Sequence, residues 1–280
     1  MYPSSFEYHR ATSVQNALEL LARYGDDAKV IAGGHSLLPV MKLRFAAPAH
    51  LVDIARIAGL SGVTDGGAAI AIGATTRHAD VVASAIVKSK APLLAEAAAH
   101  IGDPLVRNMG TIGGSLAHAD PGADLPAVML ALGATMTLTS ASGQRSVGAD
   151  DFFVDVFATA LKPGELLTAI SVPVAGPGSG SAYEKNPDPA SGYAIVGIAA
   201  QVTRAGGKVS AARVAMTGLG PKATRLTGVE RALLSGATAA AAAAKATDGM
   251  DLVDDSSGSA AYKANMVRVF TRRALTRALA

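Results

Sequence analysis

The stretch that most restricts the fold is Lys29 to Leu43, which reads K-V-I-A-G-G-H-S-L-L-P-V-M-K-L. It predicts a short apolar strand that ends at Ala32, a glycine turn over 33–35, and a helix that opens at Ser36. Glycines allow positive φ and a close backbone approach, so several N–H groups of such a turn can converge on one anion. The positive end of the helix would add to the attraction for a phosphate. The alternative interpretation is an ordinary glycine turn without a ligand.

Length and composition favour a globular protein of one large domain or two to three smaller ones. The chain has 280 residues, of which 50% are hydrophobic and 17% charged, and this is enough to bury a substantial core. The alanine-rich run 237–246 is too short to cross a bilayer. Residues 1–10 lack the basic start and apolar centre of a signal peptide. We therefore expect no transmembrane segment and a cytoplasmic location.

Charge and the lack of cysteine exclude several classes of function. The net charge is only +3 and the basic residues are spread along the chain, which argues against a nucleic-acid partner. With 0 cysteines the chain cannot by itself hold an iron-sulfur cluster or form a disulfide. The 6 histidines show no i, i+4 or H-E-x-x-H spacing, so we expect no metal site. Any redox metal would have to lie on another chain.

Helix and strand signals divide the chain into three units. The first, 1–56, contains a helix that starts at the capping box Thr12–Gln15 and stops at Gly25, then the strand before the glycine turn, and finally a strand at 50–54. The glycine turn follows the carboxyl end of its strand, where α/β proteins usually bind ligands.

The second unit, 57–175, combines strands, helices and a second cluster of turn residues at 107–126. The predicted elements are a strand at 68–74, a helix over 80–84 capped by Thr75 or Thr76, a helix from Pro92 to near Gly102, a helix from Asp124, a hairpin of 135–139 with 145–147, and a strand at 166–172.

The third unit, 176–280, follows a linker rich in proline and glycine at 173–180. Strands at 195–204 and 208–217 form a predicted hairpin, and mainly helical sequence follows. The last helix has an apolar face, with arginines on its other sides. We interpret it as a core face with a solvated basic back; docking on an acidic partner is the alternative.

Glycine pairs alone do not identify a ligand site. A chain with 30 glycines among 280 residues is expected by chance to contain roughly 3 Gly-Gly pairs, its glycine content being above the average of about 7%, and 4 are present. The pairs that begin at Gly33 and Gly113 differ because each follows an apolar residue and precedes a serine that can cap or donate, and two donor-rich turns suit a two-phosphate ligand. The stretch 218–223, G-L-G-P-K-A, fits G-x-G-x-x-A, but no acid at the end of a second strand follows about 20 residues on, so a Rossmann site is not predicted.

Acidic residues near the second glycine pair give a further binding hypothesis. Asp120 and Asp124, in D-P-G-A-D-L-P, would be a turn former and an N-cap, or would accept from a ribose or ribityl hydroxyl. The sequence contains no Walker loop, no G-x-S-x-G elbow and no set of acid, base and nucleophile, so no catalytic residue is predicted. The residues by themselves indicate a protein that binds a phosphate-rich cofactor.

Three motifs give the chain a family resemblance. A-G-G-H-S at 32–36, T-I-G-G-S at 111–115 and D-P-G-A-D at 120–124 resemble the FAD-binding medium subunits of molybdenum hydroxylases, the xanthine dehydrogenase family, and most of all those of aerobic carbon monoxide dehydrogenases. The resemblance covers essentially the whole chain. It implies an α+β protein with a vanillyl-alcohol-oxidase-type FAD-binding fold of two α/β subdomains, followed by a C-terminal domain with a small antiparallel sheet and helices.

The resemblance also implies which residues bind FAD. The two glycine motifs would hold the diphosphate, and Asp124 would bond a hydroxyl of the sugar chain. Ile101 would touch the flavin, Leu161 and Leu166 would line the ring site, and Tyr193 would pack on the ring with Lys185 near it. The implied residues are Ala32, Gly33, Gly34, His35, Ser36, Ile101, Thr111, Ile112, Gly113, Gly114, Ser115, Asp124, Leu161, Leu166, Lys185 and Tyr193.

The implied complex contains two further kinds of subunit. A large subunit would carry the molybdenum cofactor and oxidise the substrate, and a small subunit would relay electrons to the flavin through [2Fe-2S] clusters, in a dimer of heterotrimers. The flavin would reduce an external acceptor such as a quinone, with the complex at the inner face of the membrane as one option. Residues 186–192, N-P-D-P-A-S-G, stand where known CO-oxidising members carry a basic run, so an aldehyde or N-heterocycle substrate stays open. The roles of a free-standing FAD oxidase and of a flavin-free structural subunit stay open as well.

Overall fold

The strands form three main sheets that follow one another along the chain. The computed structural model describes residues 2–250, 252–254 and 258–280. Helices pack on the sheets throughout, which confirms the predicted α+β class. Within these described ranges, no helix combines the length and the hydrophobicity that crossing a bilayer requires.

The first sheet is parallel and has three strands, with the last of them in the centre. The strands are β1 (Glu7–Arg10), β2 (Ala28–Ile31) and β3 (His50–Asp53), linked by helices α1 (Val14–Tyr24) and α2 (Leu37–Lys42). Strand β2 ends at Ile31, one residue earlier than predicted, and the glycine turn follows it. The turn therefore lies at the carboxyl edge of a parallel sheet, where we expected it.

The start of α1 differs by one residue from the predicted capping box Thr12–Gln15. Ser13 is the N-cap, and its hydroxyl accepts from the Asn16 N–H at 3.0 Å. The Asn16 side-chain oxygen accepts in turn from the Thr12 N–H at 3.2 Å. Serine thus takes the capping role expected of Thr12, one residue later. Asn16 accepts from the N–H of the residue before the N-cap, so the two bonds are not a strict capping box.

The second sheet is antiparallel, has five strands and lies beside a separate two-stranded ribbon. Its strand order is β4-β5-β10-β6-β7 and the ribbon is β8-β9, with β4 (Val63–Asp65), β5 (Ala69–Gly73), β6 (Thr135–Ser140), β7 (Gly143–Gly148), β8 (Phe153–Asp155), β9 (Ala158–Thr159) and β10 (Leu166–Pro173). The helices of this region are α3 (His78–Ala83), α4 (Ala85–Lys90), α5 (Pro92–Ala99), α6 (Pro104–Met109), α7 (Ile112–His118), α8 (Asp124–Leu132) and α9 (Ala149–Phe152).

The cap predicted at Thr75 or Thr76 is wrong. Helix α3 begins at His78, and Arg77 occupies the N-cap position without a side-chain hydrogen bond. The Thr76 hydroxyl instead accepts from the Gly62 N–H at 2.9 Å and donates to the Gly73 carbonyl at 2.7 Å. It therefore ties the end of β5 to the preceding loop, a contact between residues 14 apart that a local capping pattern does not reveal.

The third sheet is antiparallel and has four strands, two more than predicted. The strands are β11 (Ser179–Pro187), β12 (Ala194–Ala205), β13 (Lys208–Thr217) and β14 (Thr224–Arg225), and the helices are α10 (Thr227–Leu234), α11 (Ala239–Ala243) and α12 (Ala260–Ala278). Strand β14 pairs with β13 in the antiparallel sense. The stretch 218–223 is therefore a turn between antiparallel strands, in agreement with the rejected Rossmann site.

Helix α12 has the predicted core face. Phe270, Ala274 and Ala278 are buried, and Met266 packs half-buried beside them. Part of the basic back is used within the chain, because Arg277 donates to Glu184 at 2.9 Å and forms an ion pair with Glu96. The apolar face thus closes the third sheet, and Arg277 ties the end of the helix to the α5 side of the molecule.

Candidate functional site

A cleft of about 970 Å³ lies between the loops that leave the three sheets. It is lined by the glycine turn after β2, the end of β5, the loops on both sides of α6 and α7, the segment before β10, and the loop between β11 and β12. This volume is at the upper end of the range for sites that bury a small molecule, roughly 300–1,000 Å³. The cleft is therefore large enough for an extended cofactor.

The glycine turn of 32–36 presents free backbone donors to the cleft. Among the described residues, the N–H groups of 33–36 have no intrachain acceptor, and all of these residues line the cleft. Only Gly34 has positive φ, at 72°. Gly33 is required for a different reason, because a Cβ there would lie 2.2 Å from the Met109 carbonyl oxygen. Of the two properties expected of these glycines, Gly34 thus uses positive φ and Gly33 a close backbone approach, and the predicted convergence of free donors is present.

Ser36 occupies the predicted N-cap position of α2, but its side chain makes no capping hydrogen bond. His35, beside it, donates from Nδ1 to the Gly33 carbonyl at 2.9 Å. This bond holds the imidazole against its own turn. The Ser36 hydroxyl is therefore not used by the helix; it interacts with the Tyr193 hydroxyl, and both residues line the cleft.

The second glycine motif is the start of helix α7 and not an open turn. Its N-cap is Thr111, whose hydroxyl accepts from the Gly114 N–H at 3.1 Å and whose carbonyl accepts from the Ser115 N–H at 3.0 Å. The Gly113 N–H donates to the Ala74 carbonyl at 2.8 Å. The expectation of a second donor-rich turn is therefore wrong, because the chain itself uses these N–H groups.

Close packing explains the glycines of the second motif. A Cβ on Gly113 would lie 2.5 Å from the Ala74 Cβ, so this residue joins α7 to the end of β5. A Cβ on Gly114 would meet only the Thr111 hydroxyl, at 2.8 Å, and the backbone of Gly114 borders the cleft. Ile112 is fully buried in the core. At this point the cleft is therefore bordered by the backbone of Gly114 and by Ser115 with its hydroxyl.

Asp124 is part of a buried hydrogen-bonded group at one wall of the cleft. It is the first residue of α8, after the N-cap Ala123, and not the N-cap itself. Its carboxylate accepts from the Tyr183 hydroxyl and from Lys185 Nζ at 2.9 Å, and Lys185 also donates to the His100 carbonyl at 3.0 Å. Burial raises the pKa of Asp124, an effect that the charge of Lys185 partly offsets. Burial and the neighbouring carboxylate raise the pKa of Tyr183 well above its ordinary value.

The two charged residues implied by the resemblance, Asp124 and Lys185, lie in different places relative to the cleft. Asp124 lines the cleft, whereas Lys185 lies behind it with a side chain only 2% exposed. A carboxylate has about four lone-pair positions. Asp124 thus keeps the capacity to accept from one further donor in the cleft, and Lys185 acts on the cleft through Asp124.

Tyr193 projects into the cleft from the loop between β11 and β12. The loop is held by Asp188, whose carboxylate accepts from the Ala190 N–H at 3.0 Å and from the Ser191 N–H at 2.7 Å. The Asp188 N–H also donates to the Tyr193 carbonyl at 2.7 Å. The ring packs along Gly122, where a Cβ would lie 3.3 Å from it, and burial raises the pKa of its hydroxyl. Hydrogen bonds within the loop thus hold the Tyr193 ring in the cleft.

Apolar side chains form the opposite part of the lining. Ile101, Leu161 and Leu166 all line the cleft, and Leu166 is buried at the start of β10. The Ile101 carbonyl is held by Arg107, which donates to it at 2.9 Å. All residues implied by the resemblance line the cleft except Ile112 and Lys185.

Sequence reasoning missed two polar residues of the cleft. Thr75 and His78 line it and are each only 4% exposed, and Thr75 Oγ1 and His78 Nδ1 have no hydrogen-bond partner among the described residues. Buried polar atoms normally have a partner, since leaving one unpaired costs about 1–3 kcal/mol. No local motif marks these positions. Two unpaired atoms at one wall therefore indicate that a polar ligand completes the site.

The unfolding free energy of the FAD-free protein should depend on pH because of His78. Burial, with His35 and Arg107 nearby, lowers the pKa of His78 from 6.5 to about 4. As the pH drops from 6.5 to 4, the imidazole becomes protonated in the unfolded chain but not in the folded one, so the unfolding free energy falls. A difference of 2.5 pKa units at about 1.36 kcal/mol per unit gives about 3 kcal/mol. Urea unfolding across this range should show a slope in the wild type that is reduced by the contribution of His78 in His78→Asn, which keeps a polar atom but does not titrate. An unchanged slope in His78→Asn would contradict the assignment.

Comparison with known proteins places the chain among flavoproteins. The family model of the FAD binding domain in molybdopterin dehydrogenase matches residues 4–175. The model of the CO dehydrogenase flavoprotein C-terminal domain matches residues 181–278. Together the two models cover both the cleft and the third sheet.

Individual relatives are similar over their full length. The carbon monoxide dehydrogenase medium chain of Hydrogenophaga pseudoflava is 44% identical, with 100% of this chain and 99% of that protein covered. The 6-hydroxypseudooxynicotine dehydrogenase complex subunit alpha of Paenarthrobacter nicotinovorans is 45% identical, with 100% and 96% covered. A solved structure of carbon monoxide dehydrogenase from H. pseudoflava, which lacks the Mo-pyranopterin moiety of the molybdenum cofactor, has a chain with a TM-score of 0.96 at 45% identity, with 99% of this chain and 98% of that chain covered.

Proposed function

This chain belongs to the family of FAD-binding subunits of the molybdopterin dehydrogenases, and we propose that it is the FAD-carrying medium subunit of a carbon monoxide dehydrogenase. The observation that carries the proposal is the cleft, in which free backbone donors, unpaired buried polar atoms and an aromatic face lie together. The predicted family and the predicted cofactor are confirmed by the family models and by the full-length relatives.

The residues of the cleft fit FAD. A diphosphate needs convergent donors, and the free N–H groups of 33–36 supply them at the positive end of α2. The Gly33 and Gly34 backbones can approach it closely because neither carries a Cβ. Thr75 and His78 lack partners for buried polar atoms, and a ligand with hydroxyl and ring nitrogen groups would provide them. A small anion would not explain why apolar side chains and the Tyr193 ring also line the cleft.

We assign the parts of FAD to the residues of this chain as follows. The motif 32–36 holds the diphosphate through its backbone, and the start of α7, with Thr111, Gly114 and Ser115, gives it a second surface. Asp124 accepts from a hydroxyl of the sugar chain, while Ile101, Leu161, Leu166 and Tyr193 enclose the ring. Ile112 and Lys185 support these residues from behind, and Gly113 borders the cleft while it joins α7 to the end of β5. When bound, FAD supplies the chemistry of accepting electrons and passing them on, and the protein supplies position and electrostatics.

The missing cysteines and the family together support a division of labour in the complex. With 0 cysteines this chain cannot by itself hold [2Fe-2S] clusters. The assignment of these clusters to a small subunit and of the molybdenum cofactor to a large subunit rests on the family resemblance. We propose a dimer of heterotrimers, located in the cytoplasm, that passes electrons through the flavin to a quinone. Attachment to the inner face of the membrane would be made through the complex.

We also propose that the chain has three units, 1–56, 57–175 and 176–280. This division is supported by the three sheets, whose strands lie within 7–53, 63–173 and 179–225. The cleft lies between all three, so the third unit contributes to the cofactor site through Tyr193.

A second candidate function is the same role in a complex for another substrate. The relative from P. nicotinovorans is as similar as the carbon monoxide dehydrogenase chain, at 45% and 44% identity. A free-standing FAD oxidase would need its own catalytic acid and base beside the ring. Substrate choice would reside in the large subunit, so the sequence of this chain changes little between the two candidates.

The proposal is tested on the isolated chain and on its complex. Purified alone, the chain should show flavin absorbance that acid precipitation releases into the supernatant, because the link is noncovalent, and metal analysis should find neither iron nor molybdenum. Carbon monoxide should bleach the flavin only after the two partner subunits are added. Bleaching of the flavin by carbon monoxide in the isolated chain would contradict the subunit assignment. Flavin that stays with the precipitate would contradict noncovalent binding. Bleaching of the complex by 6-hydroxypseudooxynicotine but not by carbon monoxide would favour the second candidate.

A further inference from the structure

A cluster of possible metal ligands lies on the first sheet, outside the cleft. Strands β1 and β3 are parallel neighbours, and Glu7 pairs with His50 in their register. His9 lies two residues after Glu7, and alternate residues of a strand point to the same face. The side chains of Glu7, His9 and His50 therefore meet on one face, and none of them lines the cleft.

The donor atoms of the cluster have the spacing of ligands on one ion. His9 Nε2 lies 3.1 Å from His50 Nδ1, and Glu7 Oε2 lies 3.5 Å from His50 Nδ1 and 3.8 Å from His9 Nε2. Zn²⁺ binds nitrogen and oxygen ligands at about 2.0–2.2 Å in a tetrahedron, which places two ligands of one ion about 3.3–3.6 Å apart. All three observed distances lie within a few tenths of an ångström of this range.

Aromatic packing holds the imidazoles in this arrangement. The Tyr24 ring, at the end of α1, stacks on His50 at 3.8 Å between ring centroids and on His9 at 4.8 Å. The histidine side chains are 20% and 19% exposed, whereas Glu7 is 71% exposed. The site is therefore rigid on its nitrogen side and open to water on the other. A water molecule can complete the coordination of a bound ion.

We propose that Glu7, His9 and His50 form a binding site for a divalent transition metal, with Zn²⁺ as the representative ion. Two imidazole nitrogens and one carboxylate oxygen suit zinc and its neighbours in the first transition series, and do not suit Mg²⁺ or Ca²⁺, which prefer oxygen ligands. A bound ion would link β1 to β3 and stabilise the first sheet, because it would bind the folded chain and not the unfolded one.

No metal site was expected from the sequence because the histidine spacing was considered only over short distances. His9 and His50 are 41 residues apart, and only the parallel pairing of β1 and β3 brings them together. This inference does not depend on the FAD assignment, since the cluster and the cleft share no residue.

The test is Zn²⁺ titration of the metal-free, FAD-loaded full chain by calorimetry, with Co²⁺ as a spectroscopic probe. The wild type should bind stoichiometric Zn²⁺ and show the visible absorbance of tetrahedral Co²⁺. Each of His9→Gln, His50→Gln and Glu7→Gln should weaken Zn²⁺ binding by at least about 10-fold, the lower limit for losing even an outer partner of a metal ligand. His100→Gln, a change at an exposed histidine outside the cluster, is the matched control and should bind like the wild type.

Melting curves without metal separate folding from binding in these variants. Glu7→Gln alters an exposed side chain and should fold normally, so it keeps the test decisive if a histidine variant does not fold. Saturating Zn²⁺ should raise the melting temperature of the wild type and of His100→Gln, whereas Mg²⁺ should not. The proposal is overturned if the wild type binds no Zn²⁺ in stoichiometric amount, or if Glu7→Gln and the folded histidine variants bind it as the wild type does.

Discussion

Gly34→Val is expected to weaken FAD binding by about 10²–10³-fold. Gly34 has φ of 72°, and a β-branched residue in this region costs about 1–2 kcal/mol. The branched side chain would also push the turn out of the arrangement in which its N–H groups converge, and weakening these contacts to a charged group costs roughly a further 1.5–3 kcal/mol. The sum of about 2.5–5 kcal/mol corresponds, at about 1.4 kcal/mol per factor of ten, to a change in affinity on the order of 10²–10³-fold. FAD titration of the folded apoprotein, followed by fluorescence, measures it.

Gly207→Val is the matched control because it imposes the same backbone strain outside the cleft. Gly207 has φ of 76°, and a Cβ there would have no neighbour within 4 Å. It lies in the hairpin between β12 and β13. We expect a comparable loss of unfolding free energy with unchanged affinity in the folded fraction. Equal affinity loss in both variants would mean that the glycine turn does not carry the diphosphate.

Lys185→Met is expected to lower the unfolding free energy by about 3–5 kcal/mol at neutral pH, the usual cost of removing one partner of a buried ion pair. The side chains of Lys185 and Asp124 are only 2% and 5% exposed, so water cannot replace the lost ammonium group. Denaturant unfolding of the FAD-free protein measures the change. The matched control is Lys245→Met, which breaks a 3.7 Å ion pair whose side chains are 58% and 56% exposed, and which should cost at most about 1 kcal/mol.

The pH dependence of the Lys185→Met variant identifies Asp124 as the group responsible. Burial raises the pKa of folded Asp124, and the charge of Lys185 opposes this rise, so the variant should bind the proton still more tightly. A group with a raised folded pKa contributes its full stability below its unfolded pKa, about 3.9 for aspartate, and loses it as the pH rises. The stability deficit relative to the wild type should therefore shrink as the pH falls. Compared with the single variant Asp124→Asn, the double variant Asp124→Asn/Lys185→Met should show a smaller deficit that does not depend on pH, because neither protein contains the titrating carboxylate. A constant deficit in Lys185→Met relative to the wild type would contradict this explanation.

Local patterns in the sequence predicted those parts of the molecule that depend on neighbouring residues. The glycine turn after β2 and the helix from Asp124 were found from residue types a few positions apart, because propensity, capping and turn chemistry act over this range. The motifs at 32–36 and 111–115 also gave the family, which the full-length relatives confirm. The second motif was nevertheless misinterpreted as an open turn, since nothing in T-I-G-G-S shows that Thr111 and Ala74 accept its N–H groups.

The sequence by itself thus determined the class of fold and the place of the donor-rich turn, because capping, turn chemistry and hydrophobic periodicity act over short segments. Its motifs identified the cofactor through the family resemblance. Only the tertiary structure decided which side chains meet across the chain. Lys185 reaches Asp124 over 61 residues, and His9 meets His50 across paired strands. Thr75 Oγ1 and His78 Nδ1 are buried without a hydrogen-bond partner in the part of the chain that the structure describes. The physical reason is that desolvation and ligand geometry depend on what is adjacent in space, and residue spacing along the chain carries no record of it.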